Sequence, residues 1–261
     1  MTSNIHKFAE ISPKAELGNN VTVGPFAVIE ENTIIGDNVI IGSNAYVASG
    51  ARISEGVKIH HGAAVSTTPQ DLKFKGEITT FEVGKNTVIR EFTMLNRGTV
   101  ESGTTKVGEN CLIMAYAHIA HDCVVGNNAI LVNVVQLGGH VHVGDHAIIG
   151  GSTVVHQFTH VGDHAMIGGG FRAVKDVPPY CLAGREPLVC EGLNLVGLRR
   201  RGFSRDSIEA LDKAYMILYR RGLNVSDAVS AIEQEVADSA EVRNLIAFIK
   251  NAKRGIIRGS K

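Results

Sequence analysis

Residues 11–65 read ISPKAELGNNVTVGPFAVIEENTIIGDNVIIGSNAYVASGARISEGVKIHHGAAV. An aliphatic residue falls at every sixth position without a miss: Ile11, Leu17, Val23, Ile29, Ile35, Ile41, Val47, Ile53, Ile59 and Val65. Four residues after these come Ala15, Val21, Ala27, Thr33, Val39, Ala45, Ala51, Val57 and Ala63. A helix repeats at 3.6 and an amphipathic strand at 2, so neither produces this pattern; a hexapeptide β-helix does. Each hexad is then a short strand and a turn. Three hexads close one triangular coil, and residues 18 apart stack at about 4.8 Å. The aliphatic and the small residue point inward. Glycine follows the aliphatic residue at Gly18, Gly24, Gly36 and Gly42, where the corner is expected to strain a Cβ. Such corners account for the excess of glycine, which reaches 29 in 261 residues.

Beyond Val65 the register lapses, resumes at Val83, Ile89 and Leu95, lapses again, and then runs from Val107 to Ile167. The sequence therefore predicts a parallel β-helix over 1–190, with loop insertions at about 66–82 and 101–106, and a helical domain over 191–261. Insertions in a solenoid commonly build the binding face, although tolerated length variation produces them as well. Pro178-Pro179 punctuates the change of architecture. Ser204, Ser226 and Ser239 are expected N-caps of three helices. The first carries Ile208, Leu211, Tyr215 and Leu218 and closes at Gly222.

The chain is 44% hydrophobic, enough for a real core, and its 26 Lys+Arg balance 26 Asp+Glu. Zero net charge, no Trp and 5% aromatic residues argue against a nucleic-acid binder. Residues 1–10 lack a basic n-region and apolar h-region, and no apolar run reaches the roughly 20 residues of a membrane span. The expected location is the cytoplasm, without membrane insertion. Charge is unevenly spread: from Gly197 onward there are 13 Lys/Arg against 8 Asp/Glu. This basic tail either receives an acidic protein or phosphates or is simply a solvated face. Cys111 and Cys123 fall at the small inward position and read as buried hydrophobes.

Eight of the eleven histidines lie between His118 and His164. Stacking at 18 residues sorts them. His121, Gly139 and Gln157 share one column, Asp122, His140 and Phe158 the next, and Ala120, Gly138 and His156 the one before. None occupies an inward position, so this patch is expected to face outward. A histidine beside a carboxylate suits general-base catalysis. A glycine N–H nearby suits an oxyanion, a contribution of about 3–4 kcal/mol. No Ser or Cys lies in these columns, so direct transfer to a hydroxyl is the simpler chemistry. His142 with His160, and His146 with His164, are further columns that face either solvent or a neighbouring subunit. A zinc hydratase using three histidines across a subunit interface, like the β-helix carbonic anhydrase, is the competing reading.

Several stretches together resemble the UDP-N-acetylglucosamine acyltransferases of lipid A biosynthesis. They are Gln70-Asp71-Leu72-Lys73, Ala117-His118-Ile119-Ala120-His121-Asp122-Cys123, Gly138-Gly139-His140-Val141, Val155-His156-Gln157-Phe158, Asp176-Val177-Pro178-Pro179-Tyr180 and Arg200-Arg201-Gly202-Phe203-Ser204. The resemblance implies a left-handed parallel β-helix, a homotrimer with sites between subunits, and no metal or cofactor. It implies transfer of a 3-hydroxyacyl group from acyl carrier protein to the 3-position of a UDP-sugar, the first step of lipid A biosynthesis. His121 is implied as general base, Asp122 as its partner, and the Gly139 N–H as oxyanion donor. Gln70, Asp71, Lys73, His118, His140, His156 and Gln157 match positions lining the substrate site. Asn194, Arg200 and Arg201 match positions near the nucleotide, and Gly169 lies where the family limits acyl length. Asn96 stands where a histidine is usual and Val196 where an acidic residue is expected. These two departures leave the acceptor either the 3-hydroxyl sugar, giving an ester, or its 3-amino analogue, giving an amide.

Overall fold

The computed structural model describes residues 3–260. Short strands, most of two residues, stack into three sheets of twelve, nine and eight strands, the three walls of a left-handed prism. Pairing is parallel at an 18-residue offset, as between Glu10 and Val28. The offset widens across each insertion: Lys58 pairs with Val88, and Val88 with Leu112. The inward aliphatic ladder is fully buried, with Ile29, Ile41, Ile59, Ile113 and Leu137 at 1% exposure or less. Cys111 and Cys123 are buried in the same ladder.

A Cβ is excluded at these corners as expected, though not by the backbone conformation. Gly18 and Gly24 are not needed for a left-handed backbone. A Cβ on Gly24 would lie 2.7 Å from the Ser43 nitrogen, and one on Gly18 2.8 Å from that of Asp37, so it is the next coil that leaves no room. The left-handed residues come two positions later, as at Asn20, Phe26, Asn38 and Asn44. Asn tolerates that region better than most residues, because its short side chain bonds locally.

The insertions are also placed differently from 66–82 and 101–106: the first is shorter and the second lies earlier in the chain. Ala64–Thr67 and Thr80–Val83 are strands, so the first loop is 68–79. Thr104–Val107 is a strand paired with Thr80–Val83, so the second is a turn over 97–103. Hydrogen bonding to neighbouring coils draws the flanks of each loop back into the prism. The expected boundary at 190/191 falls inside the strand Val189–Leu193, which forms an antiparallel hairpin with Cys181–Gly184.

Four helices follow: α1 (Leu195–Arg200), α2 (Arg205–Arg220), α3 (Val225–Glu235) and α4 (Ala240–Asn251). Ser204 caps α2 and Ser239 caps α4, each accepting a backbone N–H three residues on. Asn224, not Ser226, caps α3, because Asn224 Oδ1 accepts the Asp227 N–H at 2.9 Å. The short helix α1, capped by Asn194, has no apolar period to announce it. Strand Arg258–Gly259 then pairs with Val189–Cys190. Asn244 on α4 donates to Asp163 Oδ2 at 2.9 Å and to the Tyr180 hydroxyl at 3.0 Å, tying the helices to the last coils.

Candidate active site

Where the wall carrying His118–Ile119 turns into the wall carrying Val124–Val125, three successive coils place Asp122, His140 and Phe158 at left-handed corners, with φ near 60°. That backbone costs of order 1 kcal/mol per non-glycine residue, and here it aims each side chain away from the core. The predicted columns are formed. His140 N–H bonds to His121 O, and Phe158 N–H to Gly139 O, each at 3.0 Å. The first insertion leans over this corner and is held by the Arg97 guanidinium above the Phe74 ring. Between them lies a cleft of about 560 Å³, lined on one side by Gln70, Asp71, Lys73, Phe74 and Glu77. Thr99, Glu101, His121, His140, Gln157 and Phe158 line the other.

His121 is the centre of the geometry. Its Nδ1 is 2.8 Å from Asp122 Oδ2. An ionised carboxylate only accepts, so Nδ1 donates and Nε2 is left as the base. Asp122 occupies an outward register position but is only 3% exposed, contrary to the expected open patch. The 97–103 turn covers it. Its carboxylate accepts the Thr99 N–H at 2.8 Å, the Thr99 hydroxyl at 2.7 Å and the Ser102 hydroxyl. Burial pushes this carboxyl's pKa up, but hydrogen bonds from Ser102, His121 and Thr99 outweigh burial and hold it down to about 2. Asp122 is therefore a fixed negative charge at neutral pH.

Gly139 sits directly against the imidazole. A Cβ there would lie 2.7 Å from His121 Cε1 and 2.8 Å from Nε2. Only glycine lets the backbone approach the basic nitrogen this closely. Among the described residues the Gly139 N–H is left out of the backbone ladder, since the flanking bonds run from Gly138 N–H and His140 N–H. The His140 ring stands edge-on to His121 at 5.2 Å and stacks on Phe158 at 4.4 Å. Its Nε2 is 3.3 Å from Glu101 Oε2 and 3.7 Å from Asp122 Oδ2.

The arrangement supports proton abstraction beside a free N–H donor. It does not present a protein nucleophile. Cys123 donates its thiol to Gly138 O, and burial pushes its pKa up to about 12. The hydroxyls of Thr99 and Ser102 are turned to Asp122 and not to an imidazole. His121, Asp122 and His140 do bring three ligand atoms within 4.8 Å of one another. They fit zinc poorly: ligands at 2.0–2.1 Å from a tetrahedral ion stand roughly 3.3 Å apart, whereas Nδ1 and Oδ2 are 2.8 Å apart in a hydrogen bond.

Of the residues singled out in the sequence, the cleft gathers His121, Gln70, Asp71, Lys73, His140 and Gln157, with Asp122 and Gly139 in contact with the His121 ring. The others stand outside it. His118 bonds through Nδ1 to Met94 O, and burial pushes its pKa down, so it is neutral. His156 is exposed on the next coil, its Nδ1 3.0 Å from Gln157 O. Asn194 is buried as the cap of α1 and donates to His164 O, while Arg201 donates to His146 O. Arg200 is exposed beside them. Gly169 is an exposed turn residue whose Cβ would meet Gly151 O at 3.0 Å. Asn96 is buried away from the cleft and donates to Thr67 Oγ1 and Thr68 O. Sequence reasoning missed Thr99, Ser102, Glu101 and Phe74. A lapse in the register marks the second insertion as a loop, but no periodicity indicates which of its hydroxyls reach Asp122.

Residues 176–257 match a family model described as UDP-N-acetylglucosamine O-acyltransferase, domain 2. Residues 32–67 and 104–139 match the bacterial transferase hexapeptide model. The chain is 59% identical to an acyl-(acyl-carrier-protein)–UDP-N-acetylglucosamine O-acyltransferase of Sulfurihydrogenibium sp., covering 97% of this chain and 93% of that one. It is 55% identical to a protein of the same name from Trichlorobacter lovleyi, over 98% and 100%. Among solved structures, a UDP-N-acetylglucosamine acyltransferase from Bacteroides fragilis superposes with a TM-score of 0.96 at 47% identity, covering 97% and 99%.

Proposed function

Because the chain belongs to the UDP-N-acetylglucosamine O-acyltransferase family, we propose that its cleft transfers a 3-hydroxyacyl group from acyl carrier protein to the 3-hydroxyl of UDP-N-acetylglucosamine, the first step of lipid A biosynthesis. The observation that carries the mechanism is His121 Nε2, bare and facing Gly139, with Nδ1 tied to Asp122. The sugar hydroxyl gives its proton to Nε2 as its oxygen attacks the thioester carbon. Asp122 stabilises the imidazolium that forms. The Gly139 N–H receives the charge developing on the carbonyl oxygen. Collapse breaks the C–S bond, and the proton held by His121 passes to the departing thiolate. No acyl-enzyme forms.

Binding is apportioned by position. Gln70, Asp71, Lys73, His140 and Gln157 line the cleft and hold the sugar and the pantetheine arm. Asn194, Arg200, Arg201, His118 and His156 lie off it within one chain. They serve the substrate in a homotrimer whose clefts form between subunits, with Arg200 and Arg201 offering charge to the pyrophosphate. The basic helical tail receives the acidic carrier protein, and Gly169 leaves the acyl groove open to a long chain. No helix among the described residues is long and apolar enough to cross a membrane, in keeping with an enzyme acting on cytoplasmic substrates.

Incubation with UDP-N-acetylglucosamine and a panel of 3-hydroxyacyl carrier proteins, read by mass spectrometry, tests the reading. The expected product is an alkali-labile ester with stoichiometric release of carrier thiol. Product from the 3-amino sugar alone would replace the ester reading, and no product from either sugar would end it.

A further inference from the structure

We infer that Thr99 and Ser102 are positioning residues: they cage the Asp122 carboxylate so that it can serve only His121. The inference deepens the acyltransfer reading of the cleft and rests on it. A carboxylate has about four acceptor sites, and all four are taken here. Oδ1 accepts the Thr99 N–H and the Ser102 hydroxyl, and Oδ2 accepts the Thr99 hydroxyl and His121 Nδ1. Thr104 O also stands 2.8 Å from Ser102 Oγ, but the single hydroxyl proton goes to the closer, charged oxygen. From behind, the Asp122 N–H bonds to Thr105 Oγ1 at 2.8 Å.

The cage decides between two imidazoles. His140 Nε2 is only 3.7 Å from the same Oδ2 that His121 uses. An uncaged carboxylate can swing to His140, leaving His121 Nδ1 without an acceptor and its tautomer unfixed. Two donors from Thr99 grip both oxygens at once, which blocks that rotation. The grip is rigid because the turn is itself pinned: Gly98 N–H bonds to Thr80 O at 3.1 Å, and Gly103 N–H to Thr99 O at 2.7 Å. The shorter insertion thus belongs to the catalytic apparatus although neither hydroxyl touches the reacting atoms.

A double-mutant cycle separates this role from a merely structural one. In the wild-type background Thr99→Val, which keeps the backbone donor and the shape, is expected to lower kcat about tenfold, as loss of one charge-assisted hydrogen bond warrants. KM for both substrates should stay within twofold, and Ser102→Ala should act similarly. Thr99→Ser should restore the rate. In an Asp122→Asn background Thr99→Val should cost less than twofold, because no carboxylate remains to be held. An equal loss in both backgrounds, or no loss in either, overturns the inference. Imidazole titration of His121 by NMR reads the same cycle without turnover. Thr99→Val should move that titration in the wild-type background and leave it still in Asp122→Asn. A protein that turns over no substrate would then sink the acyltransfer reading, while the titration still decides the cage.

Discussion

Replacing Gly139 by alanine puts one methyl group into the most crowded contact of the cleft. The new Cβ would sit 2.7 Å from His121 Cε1 and 2.8 Å from Nε2, against an ordinary contact of 3.4 Å or more. The ring must retreat by about 0.7 Å, since carbon contacts settle near 3.5–4.0 Å. Nδ1 is already bonded to a caged carboxylate at 2.8 Å, so retreat breaks that bond. Loss of a charge-assisted hydrogen bond costs about 1.5–3 kcal/mol, and misplacing a catalytic group by about 1 Å costs on the order of a hundredfold in rate. The two effects overlap, so the expected fall in kcat is about a hundredfold, with KM for the sugar nucleotide little changed. Gly139 does not occupy the left-handed region, so alanine should not strain the backbone, and the melting temperature should move little. Initial rates of ester formation provide the assay. With His121 already changed to Ala, Gly139→Ala should have almost no further effect. A single Gly139→Ala enzyme within threefold of wild type would refute the close contact on which the mechanism is built.

Three other outcomes follow from the charges. Hydrogen bonds hold Asp122 down to about 2, against an ordinary 3.8, so it contributes roughly 2 kcal/mol of stability that is present above pH 4 and lost as pH falls toward 2; urea midpoints of wild type and Asp122→Asn across that range should converge at the acid end. His164 is pushed down to about 4 by burial and then by the His146 and Arg201 charges. Its unfolded form takes a proton first, so stability present above about pH 6.5 is lost as pH falls to 4, and His164→Gln should flatten that part of a melting-temperature profile. Raising salt should raise KM for acyl carrier protein more than KM for the sugar nucleotide, because rim charges chiefly set encounter rates. An equal effect on both constants would rule out the basic tail as the dock.

The fold was legible because its period is strict: one aliphatic residue in six fixes the register, and the register fixes which outward residues stack. His121 and Gly139 met as the 18-residue offset requires, and Gln157 stands on the coil beyond. The offset does not report how deep a side chain lies. Asp122 counted as exposed by register, yet the 97–103 turn buries it, and insertions obey no period. Asn194, Arg200 and Arg201 illustrate a second limit: motif identity marks them, but they lie beyond the hexad period, which therefore cannot place them against the cleft. Ser204 and Ser239 cap their helices as their sequence context predicts. At α3 the cap is Asn224, two residues before Ser226, because both residue types accept the same bond.

In the proposed mechanism His121 removes the proton of the acceptor hydroxyl directly. The most direct measurement is the steady-state rate of a His121→Ala enzyme with acyl carrier thioester and UDP-N-acetylglucosamine, alongside nucleotide affinity measured by calorimetry. Loss of a general base typically costs 10²–10⁴-fold, so kcat should fall at least a hundredfold with affinity preserved. Turnover within tenfold of wild type would contradict it.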